Sequence, residues 1–257
     1  VWNIRYHENL EEYKGPEFDE WFRIYAPNGR APRIGEIWKS PDHAKTLQAI
    51  AETDAEAFYR GELAEKIAQT VQRHGGYLSK EDLASYQPEW VDPIKINYKG
   101  YDVWEIPPNG QGIVALLALN TLKEFEFSAK DSVDTDHKQN EAVKLAFADG
   151  LKYITDAKKM KVSEEELLSD NYADLRRALI TDEALLAEPG EPIDNDTVYL
   201  STADEEGNMV SFIQSHAGDF GSGVVVPNTG ICLQNRGSGF SLDPDHHNAL
   251  EGGKKTY

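Results

Sequence analysis

A threonine hydroxyl becomes a useful nucleophile only when a base takes its proton. One way to supply that base is to make the threonine a chain terminus, so that its own α-amine accepts the proton. With an ordinary pKa of roughly 7.7 to 8.0, such an amine suits proton transfer at neutral pH. Thr197 occupies a position of this kind. It opens a β-rich run directly after the acidic, proline-bearing stretch from Glu188 to Asp196, and scission of the Asp196–Thr197 bond would expose the amine. The run Thr197–Ala203 is joined to a second, Met209–Ser215, by Asp204-Glu-Glu-Gly-Asn208, which is a hairpin signal. If Ala203 faces Met209 across a five-residue loop, then Thr197 faces Ser215. Directly opposed residues hold their Cβ atoms about 5 Å apart, so the two hydroxyls could interact. A four-residue turn would put Gln214 there instead; the five-residue loop is the expected register. A threonine that opens a strand is more often structural than catalytic, so the pattern by itself leaves both readings open.

Other residues with chemical potential have plainer explanations. His137 and Glu141 stand four apart on a predicted helix, as two metal ligands would, but without a third ligand a solvated helix face is the expectation. Asp243, Asp245, His246 and His247 form a polar loop, expected to be a turn after Phe240-Ser-Leu242. Gly218-Asp-Phe-Gly-Ser-Gly223 has no strand-to-helix setting and no Walker-type lysine, so it is not a phosphate loop. Cys232 lies in the apolar run Gly230-Ile-Cys-Leu233 and is expected on a strand, without an activating partner. No metal and no cofactor is expected.

The elements that must hold Thr197 fall into two textures. Residues 1 to 42 carry many aromatics, Pro and Gly without sustained period, and are expected to be irregular or extended. Helical spacing begins after Ser40, with Ala44, Leu47, Ile50 and Ala51. Further helices are predicted around Ala55–Tyr59, from Leu63 to the Gly75-Gly76 stop, and after the cap-like Ser79-Lys-Glu-Asp82. Strand-like runs at Pro93–Tyr98 and Tyr101–Ile106 flank a Lys-Gly turn. The loop Pro107–Gly112 then opens an apolar helix to about Leu122. Helices are expected over about 137–153 and 163–186, and another strand over 229–235. Helices first and antiparallel strands afterwards indicate an α+β fold.

Forty-five acidic residues against 26 basic ones give a formal charge of −19. That field repels phosphate backbones and anionic lipid, so neither nucleic acid nor a membrane surface is an expected partner. No apolar run approaches the roughly 20 residues of a membrane helix. A single cysteine rules out an internal disulfide. The sequence has no initiator Met and no signal peptide, so both ends read as cut from a longer chain. The compartment is open, with the cytoplasm as the expectation.

The segment Asp196-Thr-Val-Tyr-Leu-Ser-Thr-Ala-Asp-Glu-Glu-Gly-Asn-Met-Val-Ser211 resembles the one that opens the small subunit of γ-glutamyltranspeptidases. Phe220-Gly-Ser-Gly223, Asn228-Thr-Gly-Ile231, Asn235 and Phe240-Ser241 continue the likeness in order. So do the upstream stretches 51–61, 75–83, 107–112 and 141–149, and the resemblance spans about residues 30 to 257. It implies a four-layer αββα N-terminal-nucleophile hydrolase fold, incomplete in this chain. It implies a precursor that cleaves itself between Asp196 and Thr197. Residues 1–196 would be the C-terminal part of the large subunit and 197–257 the N-terminal part of the small one, both contributing to the same domain of a heterodimer. Thr197 would then attack a small-molecule amide and pass the acyl group to water or an amine, with Ser215 as the supporting hydroxyl.

Two departures bear on the substrate. Members that bind γ-glutamyl groups usually carry Asn-Asn-Gln-Met-Asp-Asp before Phe-Ser, whereas this chain has Gln234-Asn-Arg-Gly-Ser-Gly239. The expected substrate contacts are thus Asn235, Arg236 and Ser238, and the likeness shifts toward the cephalosporin acylases. In addition, Ser215-His-Ala-Gly-Asp219 lacks the Asn expected just after the supporting hydroxyl. The family's oxyanion-hole segments and carboxylate-binding Arg are not found between residues 1 and 257, so this chain alone is expected to be inactive. A non-catalytic homologue or binding scaffold is the alternative.

Overall fold

The computed structural model describes residues 6, 7, 10–185 and 198–256. In chain order its regular elements are α1 (Asp19–Tyr25), α2 (Pro41–Glu52), α3 (Glu56–Tyr59), α4 (Glu62–Arg73) and α5 (Lys80–Ser85). The hairpin of β1 (Ile94–Tyr98) and β2 (Tyr101–Glu105) follows, then α6 (Gly112–Leu122), α7 (Val133–Tyr153), α8 (Glu164–Leu167) and α9 (Asp170–Arg177). A second hairpin, β3 (Val198–Ala203) and β4 (Met209–Gln214), comes last. The mixture is α+β, and among the described residues the strands form two separate two-stranded antiparallel sheets. No helix there is long and apolar enough to cross a membrane.

The chain divides into two compact units, residues 1–88 with 193–236, and residues 89–192 with 237–257. Each takes residues from both sides of the expected subunit boundary at 196/197.

The first unit is organised on Trp21, which is fully buried. Tyr6, Tyr13, Phe22, Tyr25 and Phe220 surround its indole at centroid distances of 5.0 to 6.0 Å. Trp21, Ile24 and Tyr25 share one face of α1, and Asp19 and Glu20 sit at its positive end. A helix therefore lies inside the stretch expected to be irregular; seven residues offer too few turns for a period to show. The helix after Ser40 is capped by Ser40, and α5 opens with a reciprocal capping box between Ser79 and Asp82. The strand expected over 229–235 is reduced to one bridge between Val225 and Cys232, because Asn228 and Gly230 take positive φ and turn the chain. Cys232 is buried and its Sγ donates to the Phe220 carbonyl at 2.8 Å; burial pushes the thiol up to about 12, against a smaller opposing pull from the Gly223 N–H. Burial thus disfavours its thiolate at neutral pH.

The second unit packs α6 against α7, with Ile113, Val114, Leu117, Ala118, Ala146, Ile154 and Leu167 in its core. Helix α7 starts at Val133, capped by Ser132, one turn earlier than predicted. The single helix expected over 163–186 is broken, because Ser169 caps a fresh helix by accepting from Tyr172 N at 3.2 Å. Glu141 is not on a solvated face. It is buried, pairs with Lys144 at 2.7 Å and accepts the Leu185 N–H at 3.0 Å. Burial favours its neutral form, yet Lys144 and the Leu185 N–H outweigh this and hold the carboxyl below its ordinary range. His137 Nε2 lies 2.7 Å from the Thr181 carbonyl oxygen.

His246 and His247 pack ring against ring at 4.1 Å. Burial, with His246, Lys254 and Lys161 adding to it, pushes His247 down to about 4 from an ordinary 6.5. The unfolded chain therefore takes up the proton first as pH falls. Stability contributed by neutral His247 is intact above about 6.5 and drains away between that value and about 4. Thermal unfolding followed from pH 7 to 4 should fall more steeply for the wild type than for His247→Asn; parallel curves would refute this.

Candidate active site

The loop Asp204–Asn208 sets the geometry of the β3–β4 hairpin. Asp204 Oδ1 accepts from Glu206 N at 3.0 Å and Asn208 N at 2.9 Å, Asn208 Nδ2 donates to Asp204 Oδ2 at 2.8 Å, and Gly207 takes a φ of +84°. Hydrogen bonds from the Asn208 side chain and backbone, with those of Glu206 and Gly207, hold the Asp204 carboxyl below the usual carboxylate range. With the loop fixed at five residues, Ala203 pairs with Met209 and Val198 with Gln214. That is the register expected from the sequence. Ser211 Oγ donates to Tyr199 OH at 3.2 Å along one face. Asp204→Ala should speed amide exchange at Glu206 and Asn208 by about five- to tenfold, the loss expected for an ordinary net hydrogen bond on an exposed loop; unchanged exchange would show that the loop does not depend on Asp204.

Beyond β4 the chain turns at once. Ala217 N donates to Ser215 Oγ at 2.9 Å, and Ala217 adopts a φ of +81°, rare for a residue with a Cβ. Asn235 meets this turn twice: its N–H donates to the His216 carbonyl at 3.0 Å, and its Oδ1 accepts from Gly218 N at 2.9 Å. A Cβ on Gly218 would stand 3.1 Å from Asn235 Nδ2, a tight contact that glycine avoids. Ser215 and Asn235, 20 positions apart and both half-buried, are thereby brought together through one turn.

Arg236 follows, its N–H donating to Gln234 Oε1, and it opens a short 3-10 helix, Arg236–Gly239, that carries the exposed Ser238. Asp196 and Thr197 lie outside the described residues. Nearby in the first unit, His43 Nδ1 lies 2.5 Å from Ser40 Oγ and the ring rests on Gly230. Burial lowers the His43 pKa, with Asp42 opposing and His216 adding to the effect. Sequence reasoning missed Ala217, Gly218 and His43 as parts of this neighbourhood. Nothing local marks them, since each acts on a residue at least 17 positions away or through a backbone angle. Among the described residues no group of three or more His, Cys, Asp or Glu is placed to hold a metal ion.

An α+β chain with this hairpin and turn has close structural relatives. The crystal structure of a cephalosporin acylase from Bacillus halodurans superposes with a TM-score of 0.92 and 60% identity, covering 100% of this chain and 47% of that one. A glutathione hydrolase-like YwrD proenzyme of Bacillus subtilis is 40% identical over 91% of this chain and 45% of its own length. An oxamate amidohydrolase proenzyme of Klebsiella pneumoniae is 36% identical over 96% of this chain and 47% of its own. The chain thus spans a little under half the length of each. Its residues 2–257 match the γ-glutamyltranspeptidase family. The chain belongs to that family, within the N-terminal-nucleophile hydrolases.

Proposed function

We propose that this chain is the central portion of a self-processing amidohydrolase whose nucleophile is Thr197. The observation that carries the reading is the β3–β4 register: Val198 faces Gln214, and one more step along the ladder would set Thr197 opposite Ser215. Thr197 Oγ attacks the Asp196 carbonyl carbon, and the acyl group moves from nitrogen to oxygen as an ester. Water hydrolyses that ester, leaving a carboxylate on Asp196 and a free α-amine on Thr197. Residues up to 196 then belong to a large subunit and those from 197 to a small one, held as a heterodimer.

In the mature enzyme the α-amine takes the Thr197 hydroxyl proton as Oγ attacks the substrate amide. The same proton is passed to the leaving amine, and the resulting ester is resolved by water or by an acceptor amine. Ser215 Oγ is already occupied as an acceptor by the Ala217 N–H, so its own proton is left to donate toward the Thr197 oxygen. No cofactor enters the cycle.

The acyl group is one without an α-ammonium. Ser238 and Gly239 stand where γ-glutamyl-binding members carry acidic residues, and Arg236 adds a cation beside them. Such a site suits acylase or oxamate-type amides better than a γ-glutamyl donor. The isolated chain is expected to be inactive. The test is intact mass and N-terminal sequencing of the purified full-length protein. A small subunit that begins at Thr197 is expected, and a homogeneous uncut chain would sink the proposal.

A further inference from the structure

We infer that Asn235 is a positioning residue for the Ser215 turn and does more than contact substrate. The inference rests on the reading of Ser215 as the hydroxyl that supports Thr197. A substrate-binding amide needs its oxygen or its N–H groups turned toward the ligand. Here the side-chain Oδ1 of Asn235 is committed to the Gly218 N–H at 2.9 Å, and its backbone N–H to the His216 carbonyl at 3.0 Å.

Between those two attachments lies Ala217, buried and held at a φ of +81°. An L-residue persists in that region only where its surroundings over-determine it. The attachments on either side, at His216 and at Gly218, both come from Asn235. The strained Ala217 is also the residue whose N–H donates to Ser215 Oγ at 2.9 Å. The side chain of Asn235 therefore acts through Gly218 on Ala217, with the backbone bond to His216 holding the other flank, and Ala217 in turn sets the direction of the Ser215 hydroxyl. Gly218 completes the device, since a Cβ there would press on the Asn235 amide at 3.1 Å.

The distinguishing measurement is self-cleavage, which precedes and does not involve substrate. A residue that only contacts substrate cannot change its rate. In the full-length protein, Asn235→Ala is expected to slow scission and lower kcat by about tenfold or more, with KM within about twofold of wild type. Asn235→Asp, which keeps an acceptor for Gly218 N, should restore scission to within about threefold. Ala217→Gly combined with Asn235→Ala should recover part of the loss, because glycine takes positive φ without help.

Exchange of the Gly218 amide, faster in Asn235→Ala and protected again in Asn235→Asp, tests the latch apart from any chemistry. Wild-type scission in Asn235→Ala with a raised KM would overturn the inference, as would unchanged Gly218 exchange. If Asn235→Ala does not fold, the same two readings on Asn235→Asp decide: a raised KM or an unprotected Gly218 amide overturns it. A wild-type protein that never cuts at 196/197 would instead sink the nucleophile reading, and the Gly218 amide would still report on Asn235.

Discussion

Replacing Thr197 by alanine in the full-length protein is expected to leave a single uncut chain and to lower amide hydrolysis at least about 10⁴-fold. Both losses follow from one atom. In the proposed mechanism the hydroxyl that opens the Asp196 peptide bond is the one that later attacks substrate, and without scission there is no terminal amine to serve as its base. Thr197→Ser keeps the oxygen and should still cut, more slowly because a serine hydroxyl is less restricted about χ1. Electrophoresis scores the cut and a chromogenic amide scores turnover. Hydrolysis at wild-type rate by the alanine variant would require a different nucleophile altogether.

The second large effect is on folding. Trp21→Ala is expected to destabilise the first unit by about 3–5 kcal/mol, the range for deleting a large aromatic side chain from a core. Trp21 is fully buried, and Tyr6, Tyr13, Phe22, Tyr25 and Phe220 all touch its ring. The hole left by an indole cannot be closed by so many rigid rings. Trp21→Phe should cost less, about 1–2 kcal/mol, because a ring still fills most of the space and a buried N–H is removed. Denaturant unfolding in a Thr197→Ala background, which is expected to keep the chain in one piece, measures both. A loss under about 1 kcal/mol for the alanine variant would mean that the aromatic cluster is not this unit's core.

What could be read in the sequence followed the range of the interactions involved. The hairpin was legible because Asp204, Gly207 and Asn208 specify their loop locally, and the loop fixes the register. The helices after Ser40 and Ser79 announced themselves by caps within three residues of their starts. Helix α1 was hidden because its seven residues are dominated by aromatics that answer to Phe220, almost 200 positions away. The break at Ser169 was a cap inside a run that also had helical period, and the cap won. Glu141 read as surface because charge is usually solvated; its partner, the Leu185 backbone, lies 44 positions downstream. Asn235 was noticed only as part of a family pattern, and its grip on Gly218 spans 17 residues that no local rule connects.

The way the chain is shared between the two units bears on what a nick at position 196 would do. Thr46 donates to the Thr229 carbonyl at 2.8 Å in one unit, and Thr155 donates to Asn248 at 3.0 Å in the other. Both bonds tie residues ahead of the cut to residues behind it. Severed pieces would therefore stay hydrogen-bonded in both units, and in the first they would share one core, where Val225 and Cys232 pack with Trp21 and Tyr25. Such products should copurify under native conditions and come apart only in denaturant, without any separate docking step.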